Sequence, residues 1–277
     1  MVKFSHTLFA LPFAIIGYFL GIENAQFNFD ILLFVKVILC MVFARNAAMA
    51  FNRYIDRDID AKNERTAIRE VASGLIQPKN ALIFVIINCL LFVLTTYFIN
   101  PLCFKLSGVA LAVILGYSFT KRFTFLCHLI LGIGLSLAPI GAYIAVTGEF
   151  ATLPILFSFI VLFWVSGFDI IYALQDEAFD KSNKLKSIPA MVGKSKALFV
   201  SITLHILSSI FIVEAGLFGA FNFLYWIGAI LFTMLLAYQH TLVKPNDLSK
   251  VDLAFFTSNG IASVIFCVFV VLSLLLY

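Results

Sequence analysis

Nine stretches of this chain are each long and apolar enough to cross a lipid bilayer, and that leaves few folds open. Hydrocarbon offers no partner to a backbone N–H or C=O, so a segment inside it must satisfy those groups internally, as a helix does. A helix needs roughly 20 apolar residues to cross. Such runs fall at about 4–22, 31–51, 81–99, 102–119, 125–146, 153–175, 197–217, 220–242 and 253–277. A chain that is 62% hydrophobic and 12% charged is no soluble domain, since those are about half apolar and a quarter charged. The connections leave no room for a second folding unit. The reading is therefore all-α, with residues 1–277 forming one polytopic membrane domain.

Charge sets the orientation. Sixteen of the nineteen Lys and Arg residues fall at the N-terminus or in the loops after spans 2, 4, 6 and 8. Lys36 and Arg45 lie inside span 2, and only Lys105 stands at the other side. Basic loops stay in the cytoplasm, so the N-terminus is expected inside and the C-terminus outside. Met1 leads almost directly into the first span, with no cleavable leader evident, which favours a bacterial-type cytoplasmic (inner) membrane. The five cysteines are scattered, with no metal or disulfide spacing, and read as small wall residues. Nucleic acid is not an expected partner; membrane lipid is.

Against this apolar background, one polar spacing occurs twice. Asn52, Asp56 and Asp60 follow span 2, and Tyr172, Asp176 and Asp180 follow span 6. Steps of four residues keep side chains on one helix face. At about 100° per residue, Arg45 joins the first stripe and Asp169 the second. Each motif is followed by a basic loop and a further span, an internal repeat of the kind common in helical membrane proteins. Acids beside hydrocarbon are costly and mark function. Asp58, Glu64, Glu70 and Glu177 fall off the stripes and read as loop acids paired with loop bases.

Two facing carboxylate stripes suit Mg²⁺, with Mn²⁺ as a substitute, because hard cations take oxygen ligands and bridge to phosphates. The candidate metal ligands are Asn52, Asp56, Asp60, Asp176 and Asp180. Arg65, Arg69, Lys121, Arg122 and Lys186 can balance the remaining phosphate charge. Such a site stabilises a diphosphate leaving group, and a lipid diphosphate would run its tail between the apolar spans. Arg45 lies deeper. It reads either as a partner for the stripe acids or as a cationic anchor for an anionic second substrate. His128, His205 and His240 have no ligand spacing and read as packing or interfacial residues. His6, near Lys3, could lie at the cytoplasmic mouth.

At these residues the chain resembles the UbiA superfamily of intramembrane prenyltransferases. Asn52-x-x-x-Asp56-x-x-x-Asp60, then Arg65-Thr66, Arg69 and Gly74, is similar to its first motif. DIIYALQDEAFD with Ser187-Ile188-Pro189 is similar to its second, and YSFTKRFT (Tyr117 to Thr124) to its loop after span 4. The opening KFSHTLFALPFA and the APIGAYIAVTG of span 5 resemble the branch acting on 4-hydroxybenzoate or related naphthoates. The resemblance implies nine helices around a central cavity, arranged as in isoprenyl synthases, open sideways to lipid, with Mg²⁺ at the cytoplasmic end. It implies that a polyprenyl diphosphate ionises and alkylates an aromatic carboxylic acid beside its hydroxyl, in ubiquinone or menaquinone synthesis. Asp56 and Asp176 would act catalytically with the metal, Asp169 and Tyr172 would face the reacting centre, and Arg45 would hold the acceptor carboxylate.

Three positions depart from the resembled pattern. Arg53 stands where many relatives carry an acid, EVASG lacks a proline common there, and Lys186 replaces a frequent His. A transporter would also explain intramembrane acids and repeats, but these acids gather at one membrane face only. A CDP-alcohol phosphotransferase would need Asp-Gly and Ala-Arg elements absent around Asp56 to Asp60. Haem, chlorin, homogentisate or phosphoribose acceptors stay open within the resembled superfamily.

Overall fold

The computed structural model describes residues 9–276; Lys3, His6 and the start of the first expected span lie outside them. Among the described residues the protein is helical throughout. Its helices are α1 (Leu11–Ala25), α2 (Ile31–Ile55), α3 (Arg57–Asp60), α4 (Pro78–Tyr97), α5 (Pro101–Thr120) and α6 (Cys127–Thr147). They continue with α7 (Thr152–Ala173), α8 (Glu177–Ser182), α9 (Ile188–Val192), α10 (Lys194–Phe218), α11 (Phe223–Leu242) and α12 (Asn259–Leu275). Eight segments are long and apolar enough to cross a membrane, and α1 is a ninth, shorter apolar helix. Their bounds agree with the hydropathy reading to within a turn, apart from the undescribed start of span 1. A π-helical turn at Leu253–Ser258 leads into α12.

The helix ends follow local chemistry. The Asp30 carboxylate caps α2, accepting from the Leu32 and Leu33 N–H groups at 2.8 and 3.2 Å. Asn100 caps α5 through Cys103 N–H, and its amide donates to the Ile144 carbonyl at 2.8 Å, tying α5 to the far end of α6. Proline opens α4 and α5, where its missing N–H costs nothing.

Helix α7 is the pillar of the bundle, packed against α6 on one side and α10 on the other. Twelve of its residues are buried, against three in α2. Lipid tails are as apolar as leucine, so helices associate here through close packing and small residues rather than through expulsion of water. Phe13, Trp164, Phe232 and Phe266 interlock at ring-centroid distances of 5.1–6.4 Å. Gly17 lets α1 close on α6, because a Cβ there would lie 2.0 Å from the Pro139 carbonyl oxygen. Gly132 does the same for α6 and α7, with Ser166 Oγ 2.4 Å away. Large apolar side chains such as Leu32, Leu90 and Phe199 point outward, as a lipid-facing surface requires.

A cavity of about 510 Å³ lies between α2, α4, α5, α6 and α7. Its walls are apolar from Phe92, Ile99 and Phe150 at one end to Ala138 and Leu135 further in. Its polar end is formed by Arg45, Asn52, Arg53, Arg69, Asp169 and Tyr172. The basic loops and both acidic motifs sit above that end.

Candidate active site

Both acidic motifs break their helix at the same place. Helix α2 stops at Ile55, and Asp56 has φ −93° and ψ 5° before α3 begins. Helix α7 stops at Ala173, a 3₁₀ turn covers Leu174–Asp176, and Asp176 has φ −97° and ψ 2° before α8 begins. The continuous faces counted from the sequence therefore end at the central aspartates, and Asp60 and Asp180 ride on separate short helices. At the first break an outside donor takes the freed carbonyl. The Ile55 carbonyl accepts from Arg122 Nη2 at 2.8 Å, while Ile59 N–H turns to the Asp56 carbonyl.

Each acid of the repeat meets a base. Arg122 Nη2 donates to Asp56 Oδ1 at 2.9 Å, and Asn52 Nδ2 donates to Asp56 Oδ2 at 2.8 Å. Burial pushes the Asp56 carboxyl up from its ordinary value, and the Arg122 charge opposes that shift. Arg69 Nη1 donates to Asp60 Oδ1 at 2.6 Å, whereas Asp60 Oδ2 is buried without a hydrogen-bond partner among the described residues. In the second motif Arg65 forks onto Asp176, with Nε on Oδ1 at 3.1 Å and Nη2 on Oδ2. Its third nitrogen, Nη1, donates to the Tyr172 hydroxyl at 2.9 Å. Burial works against the Arg65 charge, but these bonds to Asp176 carry its pKa above the ordinary value. Lys121 Nζ lies 2.8 Å from Asp180 Oδ1, and Ser187 Oγ donates to Asp180 Oδ2 at 2.8 Å.

The remaining candidates divide. Arg45, Asn52, Asp169 and Tyr172 all line the cavity. Arg45 Nη2 approaches Met49 Sδ at 3.4 Å, one turn along its own helix. Lys186 is not drawn to an acid: its ammonium donates to the Phe123 carbonyl at 3.1 Å. Asp58 and Glu177 sit in surface pairs with Arg57 and Lys181.

Three participants escaped the sequence reading. Asn63 donates to Asp176 Oδ1 at 3.0 Å from the loop after the first motif. His128, read as a packing residue, lies 2.6 Å from Asp169 Oδ2. Phe255, on the π-helical turn, stacks on Tyr172 at a centroid distance of 4.1 Å and lines the cavity. Only Asn63 left a trace in sequence, as a polar residue directly before the Arg65 segment.

The donor set fits a hard divalent cation, with four carboxylates in one charge network and an unpartnered buried oxygen on Asp60. Among the described residues, however, no three acidic, His or Cys side chains converge on a ready metal site. The cage expected from the sequence is closed by its own bases, each holding a carboxylate that a cation would have to share.

An apolar cavity sunk into a helical membrane bundle, beneath crossed acid–base motifs, is the architecture of an intramembrane prenyltransferase. The chain belongs to the UbiA prenyltransferase family, whose profile matches residues 10–261. It is 30% identical over 240 residues to a 4-hydroxybenzoate octaprenyltransferase of Vesicomyosocius okutanii subsp. Calyptogena okutanii, covering 86% of each chain. The fold matches the apo structure of a UbiA homolog from Aeropyrum pernix K1 with a TM-score of 0.88 at 28% identity, covering 98% of this chain and 99% of that one. It also matches a UbiA homolog from Archaeoglobus fulgidus bound to DMAPP and Mg²⁺, with a TM-score of 0.76 at 22% identity over 98% and 96% of the two chains.

Proposed function

We propose that this prenyltransferase moves a polyprenyl chain from an allylic diphosphate to an aromatic carboxylic acid, 4-hydroxybenzoate or a hydroxynaphthoate of respiratory quinone synthesis. The observation that carries the reading is the polar end of the cavity, where Arg45, Asp169 and Tyr172 share one apolar chamber below the charge network. A planar carboxylate suits the fork of a guanidinium in such a chamber. The name of the Vesicomyosocius relative and the ligands of the Archaeoglobus structure support the same substrates.

Asp56, Asp60, Asp176 and Asp180, with Asn52, would hold Mg²⁺ or Mn²⁺, which supplies charge neutralisation to the departing diphosphate. Arg65, Arg69, Lys121 and Arg122 turn from their carboxylates toward phosphate oxygens as the diphosphate enters. The stacked Tyr172 and Phe255 rings lie on the cavity wall, where their π electrons favour positive charge developing at the allylic carbon. The apolar walls keep water from that cation. The charged end faces the cytoplasm of an inner membrane, as the distribution of basic residues favours.

The test is a membrane assay offering a labelled allylic diphosphate with each aromatic acid, on the wild type and Arg45→Ala. The variant should raise the acceptor KM roughly tenfold or more and leave diphosphate binding intact. An unchanged acceptor KM with lost diphosphate binding would move Arg45 to the diphosphate site. For the orientation, Lys62→Cys in a cysteine-free background should react with an impermeant reagent only from the cytoplasmic side.

A further inference from the structure

Asp169 is the only carboxylate on the cavity wall among the described residues, and the ion pairs above leave it out. Its Oδ2 lies 2.6 Å from His128 Nδ1, and its Oδ1 has no hydrogen-bond partner among the described residues. His128 stands behind it, 2% exposed and away from the cavity. The other ring nitrogen, Nε2, faces the Ile188 backbone N–H at 3.4 Å. A backbone N–H can only donate, so Nε2 accepts and Nδ1 carries the proton toward Asp169. The imidazole is thereby fixed in one tautomer, as a donor to a carboxylate.

The surroundings hold this pair in place. Ser166 Oγ donates to the His128 carbonyl at 3.2 Å, one turn before Asp169 on α7. Gly132, one turn beyond His128 on α6, allows the close approach of the two helices that this contact needs. Ile188 belongs to the Ser187-Ile188-Pro189 segment, whose Ser187 holds Asp180. One segment therefore braces both an acid of the second motif and the imidazole behind Asp169.

We propose that Asp169 is the base that takes the proton lost by the acceptor ring, and that His128 is its positioning residue. This rests on the aromatic-acceptor reading above. The allylic C–O bond breaks with its electron pair leaving on the diphosphate, and a ring π pair forms the new C–C bond. The C–H bond at the alkylated carbon then returns its pair to the ring and gives its proton to Asp169 Oδ1. Asp169 passes that proton to the released diphosphate. A hydrogen bond from neutral His128 keeps the carboxylate ionised and aimed without adding a charge that would repel the allylic cation.

The experiment compares His128→Asn with His128→Leu, using acceptor carrying deuterium or hydrogen at the alkylated ring carbon. Asn places its amide nitrogen at the same bond distance from Cβ as Nδ1 and keeps the donor; Leu fills the space without one. Binding of the allylic diphosphate, measured directly, serves as the check on folding. His128→Leu should bind it normally, lose roughly 10²-fold in kcat, and show a deuterium isotope effect that the wild type lacks. His128→Asn should recover most of kcat and abolish that effect. Asp169→Asn should be slower than His128→Leu, with normal diphosphate binding. The proposal is overturned if His128→Leu turns over like the wild type, or if both His128 variants fall equally with no isotope effect. Absence of any prenylated aromatic acid from the wild type would instead overturn the acceptor reading, and the base with it.

Discussion

The two acidic motifs share a backbone and differ in what surrounds them. Both stop a long helix at the central aspartate with almost the same φ and ψ, and both restart it as a short helix. The first hangs from α2, a sparsely buried wall of the cavity. The second hangs from α7, the most enclosed helix of the bundle, where Asp180 is fully buried. Only Arg69, on Asp60, is a local partner; the other bases come from elsewhere. Arg65, from the loop after the first motif, clamps Asp176 of the second, and neighbouring Lys121 and Arg122 divide between Asp180 and Asp56. A repeated sequence has become a fixed half and a more open half, stitched together by borrowed cations. The diphosphate site proposed above would exist only where both meet.

The sharpest way to break that comparison is to remove the central acid from each half. Asp56→Ala and Asp176→Ala should each lower transfer by at least roughly 10³-fold, as should excess chelator. Stability should separate them. Asp176→Ala leaves Arg65 half-buried without its carboxylate and should cost roughly 1–3 kcal/mol, seen as a lower Tm in detergent. Asp56→Ala releases the more exposed Arg122 and should cost under about 1 kcal/mol. Equal Tm losses would mean that α7 is not the fixed half.

A smaller effect tests the stitching. Arg65→Lys keeps the charge but cannot reach both oxygens of Asp176 and the Tyr172 hydroxyl together. Catalytic efficiency toward the diphosphate should fall about tenfold, the worth of one charge-assisted hydrogen bond. Wild-type efficiency would show that the fork does not matter. Smallest of all, Lys186→Ala should change transfer by less than about threefold, because its ammonium rests on the Phe123 carbonyl. A loss like that of the aspartates would return Lys186 to the phosphate site.

Much of this was legible before any coordinates. Apolar length marked the helices because hydrocarbon forbids most other backbones, and fourfold spacing marked the acids because it persists up to each helix end. The spacing could not show where the helix would end. The turn at Asp56 is met by Arg122, which arrives from 66 residues away. His128 was missed for the same reason: its meaning lies in Asp169, 41 residues on, and in an Ile188 N–H that fixes its tautomer. Lys186 shows the same limit: a lysine beside a motif carries charge in the sequence but no direction, and its ammonium rests on the Phe123 carbonyl. Local periodicity is written in sequence, whereas partner choice between helices is written only in packing.

The most direct test of the account uses purified protein in sealed proteoliposomes, supplied with a labelled allylic diphosphate, an aromatic acid and Mg²⁺. Prenylated acid and free diphosphate should appear in equal amounts, and both should vanish with chelator. Labelled diphosphate entering the lumen intact, with neither product formed, would contradict a transferase and make the crossed motifs the gate of a carrier.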